Sequence, residues 1–158
     1  MHIHWSRLIV SIAIVFFAGA IGSVFTSPAI DSWYVTIAKP AFNPPNYVFG
    51  PVWTTLYILI GVSFYLIWNK KSTKKATKKR AYQWFFVQLV LNTVWSIIFF
   101  GFKSPLFAGI EIILLALSIA ITIYYFSKLE KKASYFLVPY LIWVLFASFL
   151  NLSIILLN

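Results

Sequence analysis

The chain has no cysteine, three acidic side chains and two histidines, both within the first four residues. The absence of cysteine excludes disulfides, cysteine-based metal sites and a cysteine nucleophile. His2 and His4 stand at the N-terminal end without metal partners. No serine–histidine or paired-carboxylate arrangement is apparent, so neither a metal nor a conventional catalytic constellation is expected. Charge is also scarce, at 10% of residues, where a soluble domain carries about 25%. In its place the chain is 61% hydrophobic and 20% aromatic. That excess is too large for one buried core, and it points to an integral membrane protein. The net charge of +10 raises nucleic-acid binding as a competitor. The basic residues flank apolar spans and lie on no soluble domain, so no nucleic-acid partner is expected.

A helix crossing a bilayer core needs about 20 apolar residues, and five segments qualify, near 8–26, 49–68, 81–101, 105–126 and 134–157. They are apolar all round, whereas barrel strands alternate apolar and polar positions. The expected fold is therefore all-α, a single membrane domain of five transmembrane helices over residues 1–158. The first span has a competing reading as a cleaved signal peptide, but its run is long for a signal core.

With five spans, the N-terminus and the loops at 69–80 and 127–133 share one side. That side holds Arg7, the "KKSTKKATKKR" run (70–80), Lys128, Lys131 and Lys132, against only Lys39 and Lys103 opposite. The positive-inside rule then places the N-terminus in the cytoplasm and the C-terminus outside. The lysine run reads as a topology anchor near anionic lipid.

The connector at 27–48 is therefore external. It contains "KPAFNPP" (39–45) and is apolar where connectors are usually polar. Loops of about 20 residues are more often functional than idle, and Pro44 and Pro45 lower the entropy of ordering it. It reads as a lid over the bundle.

Helical spacing gives each span an inward face. In the third it runs Asn92, Trp95, Ser96, Phe99; in the fifth, Tyr140, Trp143, Ala147, Asn151. In the fourth, Glu111, Leu115, Ser118, Thr122 and Tyr125 form a stripe. The second presents Trp53, Tyr57 and Phe64, and the first presents Gly19, Gly22 and Ser23. At about 1.5 Å per residue, Ser23, Trp53, Trp95, Phe99, Glu111 and Asn151 fall in the outer half. An aromatic volume with a few amides and hydroxyls suits a flat, largely apolar ligand. Each element has a plainer role as well. Trp5, Trp33, Trp68 and Trp84 read as interfacial anchors, and Asn92 and Asn151 as ties between helices. Glu111 is either a functional intramembrane acid or a structural group. Gly19/Ser23 and Ala18/Gly22 form small-xxx-small pairs that serve either a homodimer face or the pocket; Gly19 and Ser23 are assigned to the pocket.

The segments "WY" (33–34), "KPAFNPPNYVFGPVWTTLY" (39–57), "LNTVWSIIFFG" (91–101) and "PYLIWVLFASFLN" (139–151) resemble, in order and spacing, the translocator proteins of the TspO/MBR family. The resemblance implies a five-helix membrane bundle, often dimeric. It implies a pocket for porphyrins such as protoporphyrin IX and for isoquinoline-carboxamide or benzodiazepine-like drugs. Mapped by motif, the ligand-binding residues would be Tyr34, Pro44, Pro45, Trp53, Asn92, Trp95, Phe99, Trp143, Ala147 and Leu150, with Gly19 and Ser23 opposite; the helix faces add Asn151. Some bacterial members are reported to degrade porphyrin with light and oxygen, which here would use Trp53 and Trp143. Animal members carry a cholesterol-recognition motif after the last "LN". This chain reads "LNLSIILLN" with no basic residue after Lys132, which argues against a sterol partner and for a bacterial plasma-membrane protein. Inverted repeats and broken midplane helices, the marks of many secondary transporters, are not found. No resident cofactor is expected; the partners are a porphyrin or drug-like molecule, the bilayer and a second copy of the chain.

Overall fold

A computed structural model describes residues 3–158. It has five long helices: α1 (Trp5–Ala29), α2 (Asn46–Asn69), α3 (Lys75–Ser96), α4 (Pro105–Ser127) and α5 (Lys131–Leu157). There is no strand among the described residues. All five are long and apolar enough to cross a membrane. α1 packs on α2 and α3, α2 on α5, α5 on α4, and α4 on α3, so the five close into a ring. The outside of the ring is apolar, with Phe17, Phe107 and Ile113 all more than half exposed.

Lipid tails are as apolar as leucine, so helices in a bilayer associate through close packing and hydrogen bonds. Small residues permit that approach here. A Cβ on Gly61 would come within 2.8 Å of the Ile12 backbone. A Cβ on Gly22 would lie 3.2 Å from Ser96 Oγ, and Thr93 Oγ1 donates to the Ala18 carbonyl at 3.0 Å. The Ala18/Gly22 pair is therefore covered by α3 of the same chain, which leaves it no room to serve as a dimer face. α1 is an integral wall of the ring, with Ser11 and Val15 fully buried.

The half of the bundle nearer the N-terminus, here termed inner and the opposite half outer, is filled with stacked aromatics. Phe64 and Phe85 lie 4.3 Å apart at 10°, and Phe85 and Phe126 6.1 Å apart at 16°. Ser63 Oγ donates to the Ala133 carbonyl at 2.7 Å, tying α2 to α5. At the inner end, Arg7 donates to Asn69 Oδ1 at 2.9 Å and sits over the Trp68 ring. The His4 backbone N–H donates to the Tyr65 hydroxyl at 3.1 Å; His2 lies outside the described residues. Lys70 Nζ meets Glu130 Oε2 at 2.7 Å, and that hydrogen-bonded ammonium holds the Glu130 carboxyl below its usual range.

Two boundaries differ from the sequence reading. The expected connector at 27–48 is half helical. α1 runs through Pro28 to Ala29 and continues as a π-helix over Ile30–Tyr34, and α2 starts at Asn46, leaving 35–45 as the loop. Pro28 removes only one N–H near the helix end, and Ser32 Oγ donates to its carbonyl at 2.6 Å. The widened π turn carries the chain past it. The lysine run is also half helix, since α3 begins at Lys75. Lysine, arginine and alanine are good helix formers, so the helix extends beyond its apolar segment into the charged layer. α3 too ends in a π-helix, Ile97–Gly101.

Candidate functional site

The outer half holds one internal cavity of about 450 Å³. All five helices contribute to its wall. α3 presents Asn92, Trp95, Ser96 and, through its π extension, Phe99 and Phe100. α5 presents Trp143, Ala147, Leu150 and Asn151; α2 presents Phe49, Trp53 and Tyr57; α1 presents Gly19 and Ser23, with Tyr34 from its π turn. Of the residues expected to meet a ligand, Gly19, Ser23, Tyr34, Trp53, Asn92, Trp95, Phe99, Trp143, Ala147, Leu150 and Asn151 thus face one space.

Pro44 and Pro45 do not. Pro45 caps the start of α2 in an extended conformation, and Pro44 accepts a bond from Asn43 Nδ2 at 3.1 Å. No residue of the 35–45 loop lines the cavity. The loop is a strap over the outer end of α5. Phe42 stacks on Phe149 at 5.3 Å and 20°. The Asn158 amide clasps the Ala38 peptide with two bonds, both 3.0 Å. Lys39 Nζ donates to the Tyr34 carbonyl at 2.6 Å, and the Tyr34 hydroxyl donates to Asn43 Oδ1 at 2.8 Å. The strap therefore holds the π turn of α1, and Tyr34 on that turn is what reaches the cavity.

Glu111 does not line the cavity either, because α4 turns Ile112 and Leu115 inward instead. Its carboxyl is buried with neither oxygen hydrogen-bonded. Trp33, expected as an interfacial anchor and not as a ligand contact, does not line the cavity. Its ring packs edge-on against Phe99 and Phe100, at 5.6 and 6.5 Å, behind the cavity wall.

The polar atoms of the wall are few and placed by helix contacts. Asn92 Nδ2 donates to the Tyr140 hydroxyl at 3.1 Å, and Asn151 Nδ2 to the Pro105 carbonyl at 2.7 Å. Both asparagines thus tie helices and border the cavity. Asn151 Oδ1 and Trp95 Nε1 are buried without partners, and an unmade buried bond costs about 1–3 kcal/mol. The remaining surface is mostly aromatic and aliphatic. Trp95 stacks on Phe99 at 5.0 Å and 21°, Trp53 leans on Tyr57 at 5.4 Å, and Trp143 meets Phe49 edge-on at 6.1 Å.

The sequence reading missed Thr26, Ser27, Ile30, Asn46 and Tyr47, which also line the cavity. All but Thr26 lie within 27–48, where a connector and no helix face is expected. Ser23, Ser27, Asn46, Tyr47 and Gly50 are exposed as well as lining. The cavity therefore opens sideways between the outer ends of α1 and α2. Gly19 keeps this seam thin, since a Cβ there would run into the Tyr57 ring.

Fold and site together define a multi-pass helical membrane protein with an aromatic internal cavity. The model of the TspO/MBR family matches residues 11–157. The tryptophan-rich protein TspO of Archaeoglobus fulgidus is 45% identical over 152 residues, covering 96% of this chain and 97% of that one. The human translocator protein is 35% identical over 133 residues, 83% of this chain and 78% of its own. The tryptophan-rich sensory protein of Cereibacter sphaeroides is 34% identical over 145 residues, 90% and 89% of the two chains. The chain belongs to the TspO/MBR family.

Proposed function

We propose that this protein is a membrane receptor for flat, largely apolar molecules. Its ligands would be protoporphyrin IX-like tetrapyrroles and isoquinoline-carboxamide or benzodiazepine-type compounds. The role would lie in sensing, transport or stress response. The observation that carries this reading is the convergence of Trp53, Trp95 and Trp143 on one cavity. A mostly apolar pocket of a few hundred Å³ with few, fixed polar groups is what such ligands require. The similarity to a protein named for sensory function supports the same direction. The basic inner end supports a cytoplasmic N-terminus in a bacterial plasma membrane.

The porphyrin would lie between the faces of Trp53 and Trp143, with Asn92 and Asn151 available for hydrogen bonds. Replacing both rings, Trp53→Phe with Trp143→Phe, should lower protoporphyrin IX affinity about tenfold, since aromatic pairs contribute about 0.5–1.5 kcal/mol each. The porphyrin absorbance band reports the titration. Unchanged affinity overturns the site.

A second reading, light- and oxygen-dependent porphyrin breakdown, is favoured by both indoles lining the cavity. Under illumination it requires loss of the porphyrin band faster than for free porphyrin in detergent. Equal rates remove it.

A further inference from the structure

The inner end carries a second concavity, distant from the cavity and independent of its reading. It is a groove along α3 lined by Lys75, Lys78, Lys79, Tyr82, Gln83 and Phe86. These positions fall at i, i+3, i+4, i+7, i+8 and i+11, so they share one helix face. Over about 17 Å of helix the face changes from cationic to apolar. We propose that this groove holds one acidic phospholipid, its phosphate against the three lysines and an acyl chain along Tyr82 and Phe86.

Lys78 is held in place, and all three lysines are available. Lys78 Nζ donates to the Trp68 and Lys70 carbonyls at the end of α2, at 3.2 and 2.7 Å. It stands 5.7 Å from the Tyr82 ring centre. An ammonium has three donors, so one remains. The Lys75 and Lys79 ammoniums make no hydrogen bond or ion pair among the described residues. No acid of this chain competes for them there, because Glu130, the single carboxylate described at this end, is paired with Lys70. The missing counter-charge must come from outside the chain.

Charge alone would admit an acidic protein segment. The groove, however, continues onto Phe86, which is 43% exposed and lies three turns into a membrane-spanning helix. A headgroup with an attached chain matches both ends at once; an acidic peptide or a free phosphate matches only the first. Basic clusters just outside a span attract anionic lipid in general. Here the geometry adds a seat for one molecule.

The test uses the full chain in neutral detergent, with bound lipid counted by native mass spectrometry. Phosphatidylglycerol should be retained in preference to phosphatidylcholine, at one copy per chain. Lys75→Gln, Lys78→Gln and Lys79→Gln together should weaken it about tenfold, and Lys79→Gln alone, at an exposed position, about threefold. Removing the same charge elsewhere on this end, with Lys71→Gln, Lys131→Gln and Lys132→Gln, should leave retention nearly unchanged. Equal losses in the two triple variants, or equal retention of phosphatidylcholine, would overturn the proposal in favour of diffuse attraction. Displacement by equimolar glycerol phosphate would overturn it in favour of a free-anion site, and displacement by an equimolar acidic peptide in favour of a protein contact. The single variant keeps the test decisive if the triple one misfolds.

Discussion

The two halves of the bundle are built from the same residue types and end up opposite in character. The inner half is filled: Phe64, Phe85 and Phe126 stack across α2, α3 and α4, and none is more than 6% exposed. The outer half is no less aromatic, yet it encloses a cavity of about 450 Å³. Composition does not make the difference. Small residues at Gly19 and Ala147 leave space where the inner half places rings. The π turns at the outer ends of α1 and α3 re-aim Tyr34, Phe99 and Phe100, and such turns are frequent at functional sites. A filled half packs ring on ring, and a hollow half keeps open space.

Substitutions should therefore separate stability from binding. The largest effect is expected for Phe85→Ala, which opens the inner stack and should cost about 3 kcal/mol, the lower end for a buried phenylalanine. Thermal unfolding in detergent measures it, and porphyrin affinity of the folded fraction should hold. Gly19→Ala in the outer half should reverse that pattern. The new Cβ displaces Tyr57 into the cavity, so affinity should fall about fivefold with little change in melting temperature. A loss of stability without loss of affinity would place Gly19 in packing alone.

Smaller effects are expected at the strap. Asn158→Ala removes both bonds to Ala38, and Pro44→Ala with Pro45→Ala loosens the start of α2. Each should raise the porphyrin off-rate about twofold through Tyr34, read by stopped-flow displacement. No change would detach the strap from the site. The smallest effect concerns Glu130. Its folded pKa is lowered by the Lys70 ammonium. The pair therefore contributes above the unfolded value near 4.5, and the contribution is lost as pH falls through the folded value. The pair is exposed, so the melting temperature should drop only slightly on acidification, and Glu130→Gln should abolish that drop.

The sequence made the helices legible because run length separates spans from loops, as in the uncharged "LIVSIAIVFFAGAIGSVF" (8–25). Helix faces made much of the wall legible too: Asn92, Trp95, Ser96 and Phe99 recur at helical spacing. What it hid has physical causes. Pro28 looks like a helix terminator, but a proline near a helix end removes one bond and a π turn absorbs it. The charged first turns of α3 look like loop because hydropathy marks the bilayer and says nothing of where a helix stops. Ile112 is indistinguishable from a lipid-facing isoleucine until α4 is oriented. Glu111 stands out as the charged residue of that helix, yet its neighbour one position on faces the cavity, together with the expected Leu115.

The central claim is that the outer half stays hollow to hold a flat ligand, and filling the space tests it most directly. Ala147→Phe places a ring inside the cavity without touching the inner stack. Titration of protoporphyrin IX, followed by the porphyrin's own absorbance, should show affinity reduced at least about tenfold with the melting temperature maintained or raised. Unaltered affinity in a folded Ala147→Phe variant would contradict the account.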